Sequence, residues 1–285
     1  MRTEIWKIIK YQVAYRKIIE QYVDAGLLPV YSAGFISLNK QFSTIGINGM
    51  VEAAESQGIS AKNTKEYKDF VSKHLKVIYE VNKEAKKKYG CMFNTEFVPA
   101  ENLGVKNAMW DKKDGLSVPR DCYNSYFYPV EDPTINILDK ISLHGRDIIQ
   151  YLDGGSALHL NLEEAPTKEG FLRLLEATAK AGCNYFCFNI KITICNECNY
   201  IDKRTLQKCS KCGSTNIDYG TRVIGYLKRV SNFSSARQLE HSLRYYHKSM
   251  LNRTIEDSAS TQEAAAAKQT VNETVKAEKM AAAKA

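Results

Sequence analysis

No run of 18 apolar residues occurs in the 285-residue sequence, which excludes a membrane-spanning helix. The first residues, MRTEIWKIIKYQ, lack both a continuous apolar segment and a small-residue cleavage site. No secretory signal is therefore expected, and a cytoplasmic location is. There is no internal repeat of fixed period, no Ser/His/Asp set, no H-E-x-x-H and no P-loop. A strong charge of one sign is missing too. Forty Lys and Arg against 32 Asp and Glu leave +8, which suits an anionic ligand but does not by itself imply nucleic acid. What is present is ordinary for a globular chain, 44% hydrophobic and 25% charged. That balance excludes a wholly disordered chain, a collagen-like repeat and a short disulfide scaffold, and the length suffices to bury a real core.

The pattern along the chain is mixed α/β. Ile5, Ile8, Ile9, Val13, Ile18 and Ile19 recur at helical spacing over residues 1–26, and Pro29 ends that pattern. Residues 30–42 read as extended. TIGINGMVEAAESQG (44–58) reads as a glycine-bearing turn running into a helix, and a Lys-rich amphipathic helix spans about 62–89 until Gly90. From 91 to 165, short extended runs alternate with Gly, Pro and Asp. A helix follows over 166–182 with Thr167 as N-cap, then an apolar strand over 184–194. Past about 253 the chain has no aromatic residue and almost nothing to bury, so a disordered or weakly helical tail is expected over 251–285.

Eight cysteines in a chain without an export signal should be thiols or metal ligands rather than disulfides. Four of them form two C-x-x-C knuckles, Cys195/Cys198 and Cys209/Cys212, with ten residues between the pairs. Each knuckle sets two thiolates on one side of a tight turn. Two facing knuckles supply the four sulfurs of a closed, tetrahedral and hence structural Zn²⁺ site. An iron–sulfur cluster or a redox-active dithiol is the competing reading. Shortly after comes TRVIGYLKRV (221–230), a strand-like run with Gly225 between Ile and Tyr. This glycine marks a place where the backbone turns or something approaches closely. Alternatively, its α-hydrogen is abstracted, leaving a radical that flanking amides stabilise and no side chain keeps from planarity.

The knuckles, RVIGYL (222–227) and NFSSAR (232–237) together look like the C-terminal end of an anaerobic (class III) ribonucleoside-triphosphate reductase. FNTEFVPAE (93–101), CYNSYFY (122–128), TIGING (44–49) and GGSALHL (154–160) resemble barrel segments of the same glycyl radical family, so the likeness covers roughly 20–250. It implies the C-terminal half of a ten-stranded α/β barrel with a small zinc-ribbon glycyl-radical domain. The barrel part would span 1–190, the zinc knuckles and radical loop 191–250, and the tail 251–285. It also implies a reaction, the anoxic reduction of ribonucleoside triphosphates to deoxyribonucleotides for DNA synthesis. The radical would be stored on Gly225 by a separate activating enzyme that uses an iron–sulfur cluster and S-adenosylmethionine. The family's finger-loop cysteine and nucleotide-binding cone lie upstream of everything matched. A separate N-terminal half is therefore the expected partner, within an assembled enzyme expected to be a homo-oligomer.

The resemblance places phosphate contacts at Thr44, Gly46, Asn48 and Gly49, and at Gly154, Gly155 and Ser156, each of which on residue pattern alone is a turn. Glu96 and Glu101 are candidates for ribose contact or acid–base work beside the radical, or else solvated loop carboxylates. Cys122, and after it Cys91, is a candidate for the thiyl cysteine, with a packed small hydrophobe as the alternative. Cys183 and Cys187 read as strand packing, and His159 as a packed strand histidine. Two rival functions remain at this level. One is a zinc-ribbon nucleic-acid binder that lost the chemistry, its stacking and basic residues in 237–247. The other is a spare glycyl radical domain.

Overall fold

Apolar residues at helical spacing form α1 (Arg2–Asp24), which buries Ile5 and Ile9 and, less expectedly, Arg16. The computed structural model describes residues 1–97, 102–163, 165–222 and 226–247. After α1 the chain makes one helical turn, α2 (Pro29–Ser32), and a 3-10 turn at Leu38–Lys40 before β1 (Phe42–Ile47). Residues 30–42 are thus mostly turns rather than extended, because Pro29 at the first helical position presets the dihedral angle of a new helix start. The short α3 (Met50–Glu55) leads to α4 (Lys65–Tyr89). The Thr64 hydroxyl caps α4 at its start, and Gly90, left-handed at φ 69°, stops it.

Between 91 and 165 the structure is more helical than its punctuation suggests. β2 (Met92–Phe97) is followed by α5 (Leu103–Lys113), α6 (Ile137–Leu143), α7 (Arg146–Ile149) and β3 (Gly155–Leu162). α5 carries no apolar stripe to betray it. Its buried residues are Gly104 and Ala108, one turn apart, where the helix backbone presses on the 122–124 segment. α8 (Lys168–Ala181) has Thr167 as its N-cap and Gly182 as its left-handed stop, and β4 (Tyr185–Ile190) follows.

β1 to β4 form one parallel sheet in that order. β1 and β2 pair over six residues and so do β3 and β4, but β2 and β3 share only Glu96↔Gly155 and Phe97↔Ser156. β3 therefore starts where β2 ends, a strong stagger between the two halves of the sheet. The main core packs Val51, Tyr67, Leu75, Phe97, Phe127 and Leu158 with their neighbours, and a smaller one joins α1 to α4 through Ile9, Val81 and Phe93.

The remainder is a second, antiparallel sheet of β5 (Ile192–Cys195), β6 (Ile201–Asp202), β7 (Ile217–Arg222) and β8 (Leu227–Arg229), in the order β6-β5-β7-β8. α9 (Ser235–Leu243) follows it. The segment after α9 returns to the first sheet, where His247 bridges Leu162 and its N–H donates to Asn161 O at 2.9 Å. None of the described helices is long and apolar enough to cross a membrane.

Candidate functional site

The four knuckle cysteines converge. All their sulfurs lie within 4.8 Å of one another, with Cys195–Cys212 and Cys198–Cys209 each at 3.6 Å. Sulfurs on a tetrahedron with ~2.3 Å metal bonds stand about 3.8 Å apart, so the spacing fits Zn²⁺ and the donor set is the one zinc prefers. β5 ends at Cys195, whose N–H donates to Tyr200 O, and the left-handed Asn199 turns the first knuckle. Gly213, at φ 75°, turns the second. Amides point at the sulfurs: Cys198 N–H donates to Cys195 Sγ at 3.5 Å and Lys211 N–H to Cys209 Sγ at 3.4 Å. The sulfurs share their protons unequally. Donation from the Cys212 amide, against burial, pulls the Cys209 thiol down, whereas at Cys212 the Ser214 amide is outweighed by the Cys198, Cys195 and Cys209 sulfurs, which push that thiol up. A metal that binds all four must therefore displace protons.

β7 runs from the knuckles to Arg222, and Gly225 falls in sequence just beyond it, outside the described residues. The end of β7 is tied to both neighbours. Asn189 Oδ1 on β4 accepts from Thr221 Oγ1 at 2.9 Å and from Arg222 N–H at 3.0 Å. Arg244 donates to Arg222 O at 2.8 Å and forks onto Glu240 at 2.7 and 2.8 Å. Burial pushes the Glu240 carboxyl up, but the Arg244 and Arg237 guanidiniums outweigh it and hold the group below the ordinary carboxylate range. Arg237, Arg244 and His247 are buried, as is Glu240. The 237–247 segment is thus folded into the molecule instead of presenting the basic, stacking surface that a nucleic-acid binder needs.

The register of the parallel sheet sets Gly46, Glu96 and Gly155 side by side across β1, β2 and β3. Burial raises the Glu96 carboxyl above its usual range. Glu101 lies outside the described residues. Thr44 and Gly46 are strand residues of β1, not members of a loop, and Asn48 Nδ2 donates to Ser125 Oγ at 2.8 Å. The amides expected to cradle phosphate are engaged within the fold. Gly49 N–H donates to Asn124 O, Gly154 N–H to Thr95 O and Gly155 N–H to Leu152 O. A Cβ on Gly154 would stand 2.9 Å from Thr95 O, so close packing against β2 is sufficient reason for that glycine. Ser156 is buried and its hydroxyl has no partner among the described residues.

Cys122 is half-buried beside Tyr123, Arg237 and Glu240 at a cavity of about 20 Å³. Burial pushes its thiol up, away from the thiolate. Cys91 is buried in the smaller core. His159 is packed as expected, with Nδ1 3.0 Å from Tyr126 Oη, and burial lowers it to about 4. One network has no counterpart among the motifs. Glu52, three residues after Gly49, accepts from Asn124 N–H, Asn124 Nδ2 and Arg120, and Arg120 also pairs with Glu55 and Glu131. The ties from Glu52 and Glu55 to Arg120 and Asn124 span 65 to 72 residues of chain, so no local motif could announce them.

A staggered parallel α/β sheet joined to a four-cysteine antiparallel sheet defines an α/β protein with a candidate zinc site. The family model for anaerobic ribonucleoside-triphosphate reductase matches residues 1–247, and the chain belongs to that family. It is similar to a solved anaerobic ribonucleotide reductase, with a TM-score of 0.79 and 32% identity over 87% of this chain and 41% of that one. The anaerobic ribonucleotide reductase of Thermotoga maritima, solved with dATP and CTP, matches with a TM-score of 0.74 and 30% identity over 85% of this chain and 40% of its own. The same enzyme with dATP in its specificity site gives a TM-score of 0.73 at 32% identity, over 82% and 39% of the two chains. This chain thus spans about two fifths of the length of the solved reductases it matches. No curated protein matches it at a significant level.

Proposed function

We propose that the chain is the glycyl-radical-bearing part of an anaerobic ribonucleoside-triphosphate reductase, acting in the reduction of ribonucleoside triphosphates to deoxyribonucleoside triphosphates. The observation that carries this reading is the four-sulfur group joined by β7 to the RVIGY segment, in a chain of that family. Cys195, Cys198, Cys209 and Cys212 hold a structural zinc that fixes the second sheet. Gly225 stores the radical, which a partner activating enzyme with an iron–sulfur cluster and S-adenosylmethionine installs by removing one α-hydrogen.

The parallel sheet, 1–190 in this reading, contributes half of a ten-stranded barrel, the zinc and radical segment spans 191–250, and 251–285 is a tail. Two features support the barrel. The stagger between β2 and β3 is the shear a closing sheet needs. β1 also has a free edge among the described strands, as a strand awaiting a neighbour would. Beside that edge α1 exposes Ile8, Tyr11, Tyr15, Ile18 and Tyr22, a stripe at heptad spacing that suits a packed helix. The remainder of the reductase is the partner proposed for this surface, within a homo-oligomeric enzyme. The substrate would sit over Gly46, Glu96 and Gly155, with Thr44, Asn48, Gly49, Gly154 and Ser156 in the adjoining backbone, Glu101 nearby in sequence and Cys122 as a candidate thiol.

The test is electron paramagnetic resonance on the anaerobic chain treated with activating enzyme and S-adenosylmethionine. A doublet that vanishes in Gly225→Ala, with air cutting the wild-type chain near residue 225, is the expected result. A zinc-loaded chain that gives no doublet, even with the remainder of the reductase added, would refute the reading.

A further inference from the structure

The end of β7 is held more firmly than a strand end requires. Arg222 is gripped by its backbone from two sides, its N–H by Asn189 Oδ1 at 3.0 Å and its carbonyl by the Arg244 guanidinium at 2.8 Å. Each gripping side chain is itself fixed. Asn189 is 2% exposed, and its Nδ2 donates to Asn161 Oδ1 on β3 at 2.8 Å. Arg244 is locked by the two-pronged bond to Glu240, and Arg237 adds a third contact to that carboxylate at 3.4 Å. The chain beyond α9 is then sewn to the first sheet, with Tyr245 N–H on Val130 O and His247 N–H on Asn161 O, both at 2.9 Å.

A buried ion pair is a poor way to gain stability, since apolar residues of like size do as well or better. It is a good way to fix a direction, because the two-pronged bond sets the plane of the guanidinium and with it the direction of its Nη1 donor. Here that donor meets a main-chain carbonyl three residues before Gly225. We infer that Asn189 and the Glu240–Arg244 pair are positioning residues for the radical glycine, clamping the end of β7, the stem that leads to it, to the parallel sheet. Removal of the Gly225 α-hydrogen by the activating enzyme needs a fixed donor–acceptor geometry, and a strand end free to move would not supply it. This inference rests on the reading of Gly225 as the radical store.

Two measurements on the full chain test it, in the double variant Arg244→Met/Glu240→Leu, which removes both charges together, and in Arg244→Lys. The lysine keeps Glu240 paired while giving up the fork, so it reports on the grip even if the double variant folds poorly. The first readout is hydrogen exchange over 220–229, which should accelerate about tenfold while the peptides of β1 and β2 stay unchanged. The second is the radical doublet per bound zinc after activation, which should fall about tenfold with zinc content intact. Unchanged exchange at 220–229 overturns the clamp, whatever the radical does. Accelerated exchange with an undiminished doublet overturns the positioning role. A wild-type chain that shows the protected stem but never a doublet overturns the radical reading, and with it the role assigned to the clamp.

Discussion

Glu52 shows how much one buried side chain can organise. A single carboxylate oxygen takes the Asn124 N–H at 2.9 Å, the Asn124 side-chain amide at 2.9 Å and the Arg120 guanidinium at 2.7 Å. Asn124 in turn accepts from Val130 N–H, so the 122–130 turn is built on this one acceptor. Glu52→Ala would leave the two Asn124 donors without a partner, while Arg120 keeps Glu55 and Glu131. The expected loss is about 2–4 kcal/mol of stability, read from the denaturant midpoint, whereas Glu52→Gln, which retains an acceptor, should cost less than half of that. The cysteine group carries a second expectation at this scale. Cys209→Ser should lower bound zinc from one equivalent to nearly none. Chelation of the wild-type chain should open 195–222 to protease while α4 and β2 stay protected, because on the order of 10 kcal/mol of local folding energy comes with the metal. Zinc retained by Cys209→Ser would exclude that sulfur from the ligand set.

Among the elements, α5 is the one that packs by absence. A Cβ placed on Gly104 would lie 2.5 Å from Tyr123 O and 3.3 Å from Cys122 Sγ, a contact no flexible side chain can yield to. Gly104→Ala should therefore destabilise by about 1–3 kcal/mol despite alanine's better helix propensity, which a thermal or denaturant melt would show. An exposed position such as Lys106→Ala should be silent by comparison. The same helix explains why residues 91–165 were not legible as helical. Sequence patterns report apolar stripes, and α5 meets its neighbour through a glycine and an alanine. The elements that were legible carry explicit signals: α4 and α8 have threonine caps and glycine stops, and α4 also spaces its apolar residues at 67, 71, 75, 78 and 85. Of the candidate site, the four cysteines were readable because their spacing is the chemistry. The tie between Asn189, Arg222 and Arg244 was not, since it joins a strand, a strand end and a helix end 22 to 33 residues apart.

Across the whole molecule, the histidines set how the fold meets acid. His144 is 1% exposed, with Nδ1 on Lys140 O at 3.1 Å and Nε2 unpartnered among the described residues, and burial lowers it from 6.5 to about 3. His159, 2% exposed against Tyr126, is lowered to about 4 by burial and then by the nearby Arg244 and Arg222 charges. Both folded values lie below the unfolded one, so the stability they contribute is fully present above pH 6.5 and is lost as the pH falls toward 4 and 3. In that window the unfolded chain binds up to two more protons than the native one. The free energy of unfolding should therefore fall by up to about 2.7 kcal/mol per pH unit from these two groups alone. His144→Gln and His159→Gln should each remove about half of that slope between pH 6 and 4.5, whatever they do to stability at pH 7. Urea unfolding at several pH values, with zinc content followed in parallel, measures it. A slope that neither variant changes would mean that both imidazoles take up protons within the native state, and that water reaches the interior face of β3.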